Sequence, residues 1–475
     1  MLNISKLKRE ESLKDKCGVF GIYGKNEDVA RISYFGLYSV QHRGQEGAGL
    51  AVSNGKKIKT IKGLGLVPSV FTEKDIASLK GYIAIGHTRY STTGGNTKNN
   101  LQPVLIRFKN EDIVIAHNGN IINAGRLIKT LPPNTPLSST TDTEVMGWVI
   151  CNAKGRSWEE KIMNSMSKFE GAFSIVAMTK TKLIAFRDSY GFRPLVLGKL
   201  NGGFVICSET CALDTTGATY IRDIRPGEVV SIDQKGFHEI GIMKEGRKAF
   251  CLFEYVYLAR PDSILNDELV HQVRQRSGEL LAYEAPTGAD LVVAIPDSGT
   301  SAAIGYSKAS GIPFGEILIK NRYIGRTFIQ PEQRIRDMGV KIKFNPLRKI
   351  VKGKRIIIVD DSIVRGTTIK HIISLLRKSG AKEIHIRVCS PPIKNPCYFG
   401  VDTPNKDHLI ASAKTVDQIK KYINADSLAY LSLSGLERAS RQKKNTLCSA
   451  CFTGKYPLPV DTQFTKNILE KSNIC

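Results

Sequence analysis

The sequence predicts two domains of different class: an α+β domain of stacked antiparallel sheets, followed by an α/β domain with a parallel sheet. In the first half, many short apolar segments are separated by Gly and Asn turns, which is typical of antiparallel strands. In the second half, apolar strands alternate with helical segments, as in a doubly wound sheet. The charged stretch Lys244–Lys248 separates the two patterns. We therefore expect domains at 17–245 and 246–445, a leader at 1–16 and a tail at 446–475.

A cysteine opens the first apolar segment, directly after a polar leader. The leader, Met1–Lys16, is rich in basic residues and lacks the apolar core of a signal peptide, so we interpret it as a propeptide. If cleavage makes Cys17 the first residue, its own α-amine, with a pKa of roughly 7.7–8.0, can remove the proton of its thiol. Cys17 is therefore a candidate nucleophile, although an isolated Cys-Gly pair is also typical of a buried structural cysteine.

Four polar clusters follow Cys17 and offer the groups that an amino-acid amide substrate requires. Such a substrate needs a cation for its carboxylate and an anion for its ammonium, which Arg89 and Asp142 can supply. Acyl transfer also needs an oxyanion hole: Asn118 carries an amide donor, and Gly119 lets a backbone N–H approach closely. The clusters are Gln41–Glu46, Gly86–Thr92, His117–Asn120 and Thr141–Glu144.

In this order, Cys17 and the four clusters resemble the class II glutamine amidotransferases, which are N-terminal-nucleophile hydrolases with an αββα sandwich fold. The resemblance implies that Cys17 is the nucleophile and that Arg89 and Asp142 clamp glutamine. It also implies that Asn118 and Gly119 stabilise the oxyanion of the tetrahedral intermediate.

Simpler interpretations exist for several of these residues. Arg89 could form a surface ion pair, and Asp142 could cap a helix over Val145–Cys151. We expect a structural role for the histidines of the clusters, because the N-terminal amine already serves as base; they are His42, His87 and His117.

A strand that ends in two carboxylates and a phosphate-binding turn marks the second domain. Ile356–Val359 is β-branched throughout, as expected of a central parallel strand. Asp360 and Asp361, at its carboxyl end, can bind ribose hydroxyls or a divalent metal. Arg365–Thr368 then offers backbone N–H groups, two hydroxyls and the start of a helix over Ile369–Lys378 to a phosphate.

A second strand of this domain also ends in a small polar loop. Successive N–H groups after Val292–Ile295 can hold pyrophosphate, and the Ser298 hydroxyl can join a metal. From Lys320 to Arg355, basic residues far outnumber acidic ones, which would attract a polyanionic small molecule. Lys320–Phe328 combines charge, Gly and aromatic residues, as a lid would. These features resemble the type I phosphoribosyltransferases, which bind phosphoribosyl pyrophosphate.

The phosphoribosyltransferase resemblance implies a role for each loop. Ser298, Asp360 and Asp361 would hold Mg²⁺ and the ribose. The implied contacts to phosphoribosyl pyrophosphate are Lys320, Arg322, Arg365, Gly366, Thr367 and Thr368.

Over about residues 17–457, the two halves together resemble the amidotransferases that begin purine synthesis. Such enzymes hydrolyse glutamine at one site and pass ammonia through an internal channel to phosphoribosyl pyrophosphate. Their products are 5-phosphoribosylamine, glutamate and pyrophosphate. The resemblance further implies a cytoplasmic homotetramer that purine nucleotides inhibit.

Four of the ten cysteines stand out by context. Only Cys448 and Cys451 have ligand spacing of their own, which would also suit a redox pair or half of a zinc site. Cys251 and Cys397 would be core cysteines by default. One branch of the resembled family combines a propeptide with a [4Fe–4S] cluster on four cysteines in these contexts, which implies that all four are ligands. We expect structural or incidental roles for Cys151, Cys207, Cys211, Cys389 and Cys475.

The net charge of +25 raises the possibility of nucleic-acid binding, but the sequence contains no nucleic-acid-binding signature. No apolar run approaches the roughly 18–20 residues of a membrane helix. We therefore expect neither nucleic acid nor membrane as a partner. Two rival functions are another class II amidotransferase, which would need a different second half, and a regulator that binds phosphoribosyl pyrophosphate, which would need a DNA-binding module.

Overall fold

The computed structural model describes the chain in six stretches. Several predicted features lie outside them: the leader Met1–Lys16, residues 91–92 of one polar cluster, Arg322 with most of the predicted lid Lys320–Phe328, and residues 461–475 of the tail, which include Cys475. So does part of the predicted domain boundary, at residues 244–245. The described stretches are 17–90, 95–109, 111–243, 246–321, 344–403 and 405–460.

Two antiparallel sheets form the first domain, as the sequence predicts. The first sheet has seven strands, in spatial order Thr219–Asp223, Val196–Leu200, Gly203–Cys207, Gly18–Tyr23, Ile83–Arg89, Gly47–Ser53 and Ile58–Leu64. The second has six, in the order Gly236–Ile242, Glu228–Asp233, Leu183–Arg187, Gly171–Met178, Glu111–Ile121 and Val104–Phe108.

The two sheets pack face to face, and helices cover both outer faces. Val19 and Ile85 of the first sheet meet Val114 and Val176 of the second in one buried cluster. The inner strand Gly18–Tyr23 is buried along its whole length, because layers lie on both of its sides. The helices of this domain are Val29–Ser39, Val67–Val70, Glu73–Ser78, Ala124–Ile128, Asp142–Cys151, Trp158–Met166 and Thr210–Thr216. The αββα sandwich prediction is confirmed.

The second domain contains a four-stranded parallel sheet, in the order Leu291–Ala294, Arg355–Asp360, Glu383–Val388 and Ser427–Tyr430. Alternate residues of the second strand face opposite layers. Ile357 and Val359 pack with one set of helices, and Ile356 and Ile358 pack with another. This strand is therefore covered on both faces, as predicted from its β-branched residues.

Helices surround this sheet on both sides, which confirms the doubly wound prediction. They are Val270–Glu284, Thr300–Ser310, Arg348–Val351, Thr367–Lys378, Ile410–Ala413, Val416–Ile423, Leu433–Ser440 and Ala450–Thr453, with a π-helical turn at Glu254–Leu258. The helix predicted from Ile369 begins two residues earlier, at Thr367. Its start is set by Gly366, which adopts the left-handed conformation at φ +78°.

Three short strand pairs complete the second domain. Phe250–Cys251 pairs in parallel with Leu447–Cys448 and so joins the start of the domain to its tail. The other two pairs are antiparallel: Ile264–Leu265 with Glu268–Leu269, and Leu318–Lys320 with Phe344–Pro346. In the described stretches, no helix is both long and apolar enough to span a bilayer.

Candidate active sites

The Cys17 thiol is buried at the start of the central strand of the first sheet. Its Sγ donates to the Tyr90 carbonyl at 3.4 Å. The backbone after it is fixed, because the Gly18 N–H donates to Thr88 Oγ1 at 3.2 Å and the Val19 N–H donates to Ser208 Oγ at 2.9 Å. Burial raises the pKa of the Cys17 thiol to about 11. The thiol is thus protonated near neutral pH and needs a base to become a nucleophile.

Arg89 and Asp142 lie close enough to Cys17 to act on its thiol electrostatically: Arg89 lowers the thiol pKa and Asp142 raises it. Both side chains are buried. Burial lowers the pKa of Arg89, but arginine retains its charge in proteins. The structure therefore brings a cation, an anion and a thiol into one buried site, which excludes a surface ion pair for Arg89.

Asp142 is held as a carboxylate by its neighbours. Burial alone would raise its pKa, but His117 and the backbone N–H groups of Ile121 and Thr143 lower it below the usual value. The Ile121 N–H donates to Asp142 Oδ2 at 3.1 Å. Asp142 lies in the first turn of its helix, and the N-cap is Thr141, whose Oγ1 accepts from the Glu144 N–H. The alternative interpretation of Asp142 as the N-cap is therefore wrong.

Asn118 and Gly119 lie on the strand Glu111–Ile121. They stand between His117 and Ile121, both of which contact Asp142. Asn118 is fully buried, and in the described part of the chain its side-chain amide has no hydrogen-bond partner. A buried amide without a partner is costly, so it marks a place where a ligand would bind. A Cβ at Gly119 would lie 2.0 Å from the Ala172 carbonyl oxygen, so only glycine fits.

The three histidines of the clusters all make structural hydrogen bonds. His87 Nε2 lies 3.1 Å from the His117 carbonyl oxygen and links the two sheets. His117 Nδ1 lies 3.3 Å from Thr143 Oγ1 and 3.7 Å from Asp142 Oδ1, so it supports the carboxylate. His42 Nε2 lies 2.7 Å from Glu209 Oε1.

The two carboxylates of the second domain lie at the carboxyl end of the central parallel strand. The Asp361 N–H donates to Asp360 Oδ1 at 2.9 Å, and Asp361 also accepts from the hydroxyls of Ser298 and Ser362. Burial and the Asp361 charge raise the pKa of Asp360 well above its usual value. Burial likewise raises the pKa of Asp361. Two carboxylates this close, one buried and one half-buried, disfavour joint ionisation, which a divalent cation or ribose hydroxyl donors would relieve.

One basic residue near these carboxylates has no sequence signal. Arg274 is buried on the helix Val270–Glu284 and lowers the pKa of Asp361 against the effect of burial. Its guanidinium donates to the carbonyls of Tyr255 and Ala259, each at 2.8 Å. Sequence analysis did not identify Arg274, because it lies far from either loop along the chain.

The turn after Asp361 has the geometry of a phosphate site. The helix Thr367–Lys378 begins directly after Gly366, so its free N–H groups lie at this turn. A Cβ at Gly366 would come within 2.9 Å of the Ile410 side chain. Arg365 is half-buried and Thr368 is exposed at the same end of the helix. Lys320 ends the strand Leu318–Lys320 and forms an ion pair with Asp297, in the loop after the strand Leu291–Ala294.

The four cysteines predicted as ligands line one cavity, together with Arg193 and Phe399. Burial raises the pKa of all four thiols; they are Cys251, Cys397, Cys448 and Cys451. Within the described stretches, no three His, Cys, Asp or Glu side chains are arranged to hold a single metal ion. In an iron–sulfur cluster each thiolate binds its own iron atom, so four cysteines around one cavity are the donor set that a cluster would need.

The remaining described cysteines lie elsewhere. Cys207 and Cys211 are buried beside Glu209, and Cys207 Sγ donates to the Glu209 carbonyl at 3.2 Å. Cys151 ends the helix that carries Asp142. Cys389 is buried close to Asp360 and Asp361, which raise its pKa further beyond the effect of burial.

Comparison with known proteins agrees with both domains. A glutamine amidotransferase domain model matches residues 87–215, and a phosphoribosyl transferase domain model matches residues 262–397. The amidophosphoribosyltransferase of Mycobacterium bovis is 45% identical over 97% of this chain and 90% of its own length. That of Synechocystis is 46% identical over 97% of this chain and 94% of its own length.

Solved structures give the same result. The glutamine phosphoribosylpyrophosphate amidotransferase of B. subtilis, complexed with ADP and GMP, matches with a TM-score of 0.88 and 43% identity, covering 94% of this chain and 99% of that one. A structure described as the allosteric regulatory enzyme of purine biosynthesis matches with a TM-score of 0.89 and 44% identity, covering 94% of this chain and 98% of the other.

A glutaminase sandwich joined to a phosphoribosyltransferase domain defines a glutamine-dependent amidotransferase that acts on a phosphorylated sugar. At this identity and coverage, the chain belongs to the amidophosphoribosyltransferase family. It uses glutamine and phosphoribosyl pyrophosphate at the first step of purine biosynthesis, forming 5-phosphoribosylamine, glutamate and pyrophosphate. The two rival functions are thereby excluded.

Proposed function

We propose that Cys17, exposed as the first residue by removal of the leader Met1–Lys16, is the nucleophile of the glutaminase reaction. The observation that carries the proposal is that its buried thiol lies within electrostatic reach of both Arg89 and Asp142. Arg89 binds the carboxylate of glutamine, and Asp142 binds its ammonium group. These two contacts place the side-chain amide of glutamine at the thiol.

The glutaminase reaction then follows from the residues at this site. The free α-amine of Cys17 takes the thiol proton, and Sγ attacks the amide carbon of glutamine. The Asn118 amide and the Gly119 N–H donate to the oxyanion that forms. The C–N bond breaks, ammonia leaves with the proton from the amine, and a γ-glutamyl thioester remains on Cys17. Water hydrolyses the thioester to glutamate and restores the thiol.

The second reaction takes place at the loops of the parallel sheet. Asp360 and Asp361 bind the ribose hydroxyls; with Ser298 they would also hold Mg²⁺, which would withdraw charge from the pyrophosphate. Ammonia attacks the anomeric carbon with inversion, and the bond to pyrophosphate breaks. The residues proposed to contact phosphoribosyl pyrophosphate are Lys320, Arg322, Arg365, Gly366, Thr367 and Thr368.

Ammonia must pass between the sites without meeting bulk water, because protonation would remove its lone pair. An internal passage is therefore part of the proposal. So are a homotetrameric assembly and inhibition by purine nucleotides. Support for nucleotide binding comes from the B. subtilis enzyme, whose structure is a complex with ADP and GMP. A cytoplasmic location completes it.

Removal of the leader can be tested by mass spectrometry. The active enzyme should have an intact mass that begins at Cys17, because only a free α-amine can serve as the base. Leu2–Lys16 should be missing from peptide maps of active fractions. A fully active enzyme that retains the leader would refute the role given to the amine.

We also propose that Cys251, Cys397, Cys448 and Cys451 hold a [4Fe–4S] cluster. Support comes from their common cavity and from Arg193, whose positive charge faces three of these thiols. Such a charge would balance part of the negative charge of a thiolate-bound cluster. A cluster here would tie the start of the domain to its tail.

The cluster can be tested by composition. Anaerobically purified protein should be brown and contain about four iron atoms and four acid-labile sulfides per chain. Cys448→Ser should lower both contents, whereas Cys211→Ser, which alters a buried cysteine outside the cavity, should not. A colourless protein that contains only zinc would contradict the cluster.

A further inference from the structure

The two domains are joined by a buried network of charges that neither active site accounts for. Its centre is Glu254, at the start of the π-helical turn of the second domain, whose side chain is completely buried. Glu254 Oε2 accepts from Arg43 Nη2 at 2.7 Å, and Oε1 accepts from Arg193 Nη1 at 3.1 Å. Both arginines belong to the first domain and are also buried. One carboxylate of the second domain therefore holds two separate segments of the first.

One arm of this network reaches the strand that carries Arg89. Arg43 ends the turn Gln41–Arg43 and also pairs with Glu209. The next residue, Gly44, packs on the backbone of that strand so closely that a Cβ would lie 2.4 Å from the Thr88 carbonyl carbon. Fixing Arg43 thus fixes the turn against the residue that precedes Arg89.

The other arm reaches the strand that carries Asn118 and Gly119. Arg193 Nε donates to the Phe399 carbonyl at 2.9 Å. Gly400 follows with φ +96°, and a Cβ on it would lie 3.0 Å from the Gly119 carbonyl carbon. Asn120 Nδ2 also donates to the Tyr398 carbonyl at 2.9 Å. The segment Tyr398–Gly400 of the second domain therefore backs the oxyanion strand of the first.

We propose that Glu254 is a positioning residue for the glutaminase reaction, because its bridge between Arg43 and Arg193 fixes both the strand of Arg89 and the backbone behind Gly119. The proposal rests on the oxyanion role given above to Asn118 and Gly119. Oxyanion donors act on the transition state, so small displacements lower kcat and leave substrate binding intact. The second domain thus contributes to the geometry of a reaction that occurs in the first.

The test is Glu254→Gln, which keeps the shape of the side chain but removes its charge and one of its two acceptors. Glutaminase kcat should fall by about 10-fold or more, a part of the ~10²–10³-fold effect of losing an oxyanion donor. The KM for glutamine should rise as well, because the strand of Arg89 loses its support, whereas the rate of ammonia-dependent synthesis should stay within about twofold. Gly400→Ala, which presses on Gly119 and not on the strand of Arg89, should lower kcat and leave the KM for glutamine unchanged.

Glu228→Gln is the matched control. Glu228 is another fully buried carboxylate held by two arginines, Arg222 and Arg225, at 2.7 and 2.8 Å, but it lies near the edge of the second sheet. If Glu254 only stabilises the fold, both variants should lower the melting temperature and leave glutaminase kcat alone. Unchanged kcat in Glu254→Gln, or equal losses of both activities, would overturn the proposal.

The variant Asn118→Ala distinguishes the positioning role of Glu254 from the oxyanion role of Asn118 and Gly119, on which it rests. Asn118→Ala should lower glutaminase kcat by about 10²-fold or more. If it does so while Glu254→Gln and Gly400→Ala turn over normally, the positioning role is wrong and the oxyanion role stands. Normal turnover in Asn118→Ala would overturn both.

Discussion

Replacing Cys17 by serine should abolish synthesis from glutamine and leave synthesis from added ammonia intact. The sulfur is the only group proposed to bond with glutamine, and loss of a catalytic nucleophile costs on the order of 10⁴-fold or more in kcat. The Asp360 and Asp361 site belongs to another domain with its own core. The measurement is phosphoribosylamine formation with glutamine and, separately, with ammonium chloride above neutral pH.

Cys151→Ser provides the control for Cys17→Ser. Cys151 is a buried cysteine of the same domain, at the far end of the helix that begins with Asp142. Its replacement places a hydroxyl in the core and should lower stability by about 1–3 kcal/mol while both activities persist. If Cys17→Ser lost ammonia-dependent synthesis as well, the independence of the two sites would be refuted.

Replacing Asp361 by asparagine should remove synthesis with both nitrogen sources, by about 10³-fold. Asparagine keeps the size of the side chain but supplies no charge for a metal and one fewer acceptor for ribose. The fold should be retained. Burial raises the pKa of Asp361, so its ionisation is less favourable in the folded protein than in the unfolded chain, and a neutral side chain should leave the melting temperature unchanged or higher.

The control for Asp361→Asn lies at the opposite end of the same pair of strands. Asp290 Oδ1 accepts from Arg355 Nη2 at 2.9 Å, where the strand Arg355–Asp360 begins. Asp290→Asn should leave both activities unchanged, because the amino end of a parallel sheet faces away from the ligand loops. Ammonia-dependent turnover retained in Asp361→Asn would show that this loop is not the ribose and metal site.

The sequence was informative where chemistry is local. Asp360, Asp361 and the following turn adjoin one another along the chain, and a strand of β-branched residues locates them at the edge of a sheet. The same holds for Cys17 and the polar clusters, whose residue types match the needs of an amino-acid substrate. Predictions of this kind need only short spacings and residue chemistry.

The sequence was less informative where function depends on tertiary contact. Glu254 meets Arg43 across 211 residues and Arg193 across 61, and no periodic pattern connects them. The common cavity of Cys251 and Cys397 likewise could not be derived from spacing. The fold also buries the Asp361 carboxylate, which its place at the end of a strand does not predict. Burial is set by the packing of neighbouring segments, which the local sequence does not contain.

The central claim is that one chain couples glutamine hydrolysis at Cys17 to pyrophosphate release at the Asp360 and Asp361 site. It is tested most directly by measuring glutamate and pyrophosphate together in one reaction with glutamine, phosphoribosyl pyrophosphate and Mg²⁺. We predict that the two products appear in equal amounts and that omitting phosphoribosyl pyrophosphate strongly slows glutamate release. Glutamate release at the same rate without phosphoribosyl pyrophosphate, with no matching pyrophosphate, would contradict the coupling.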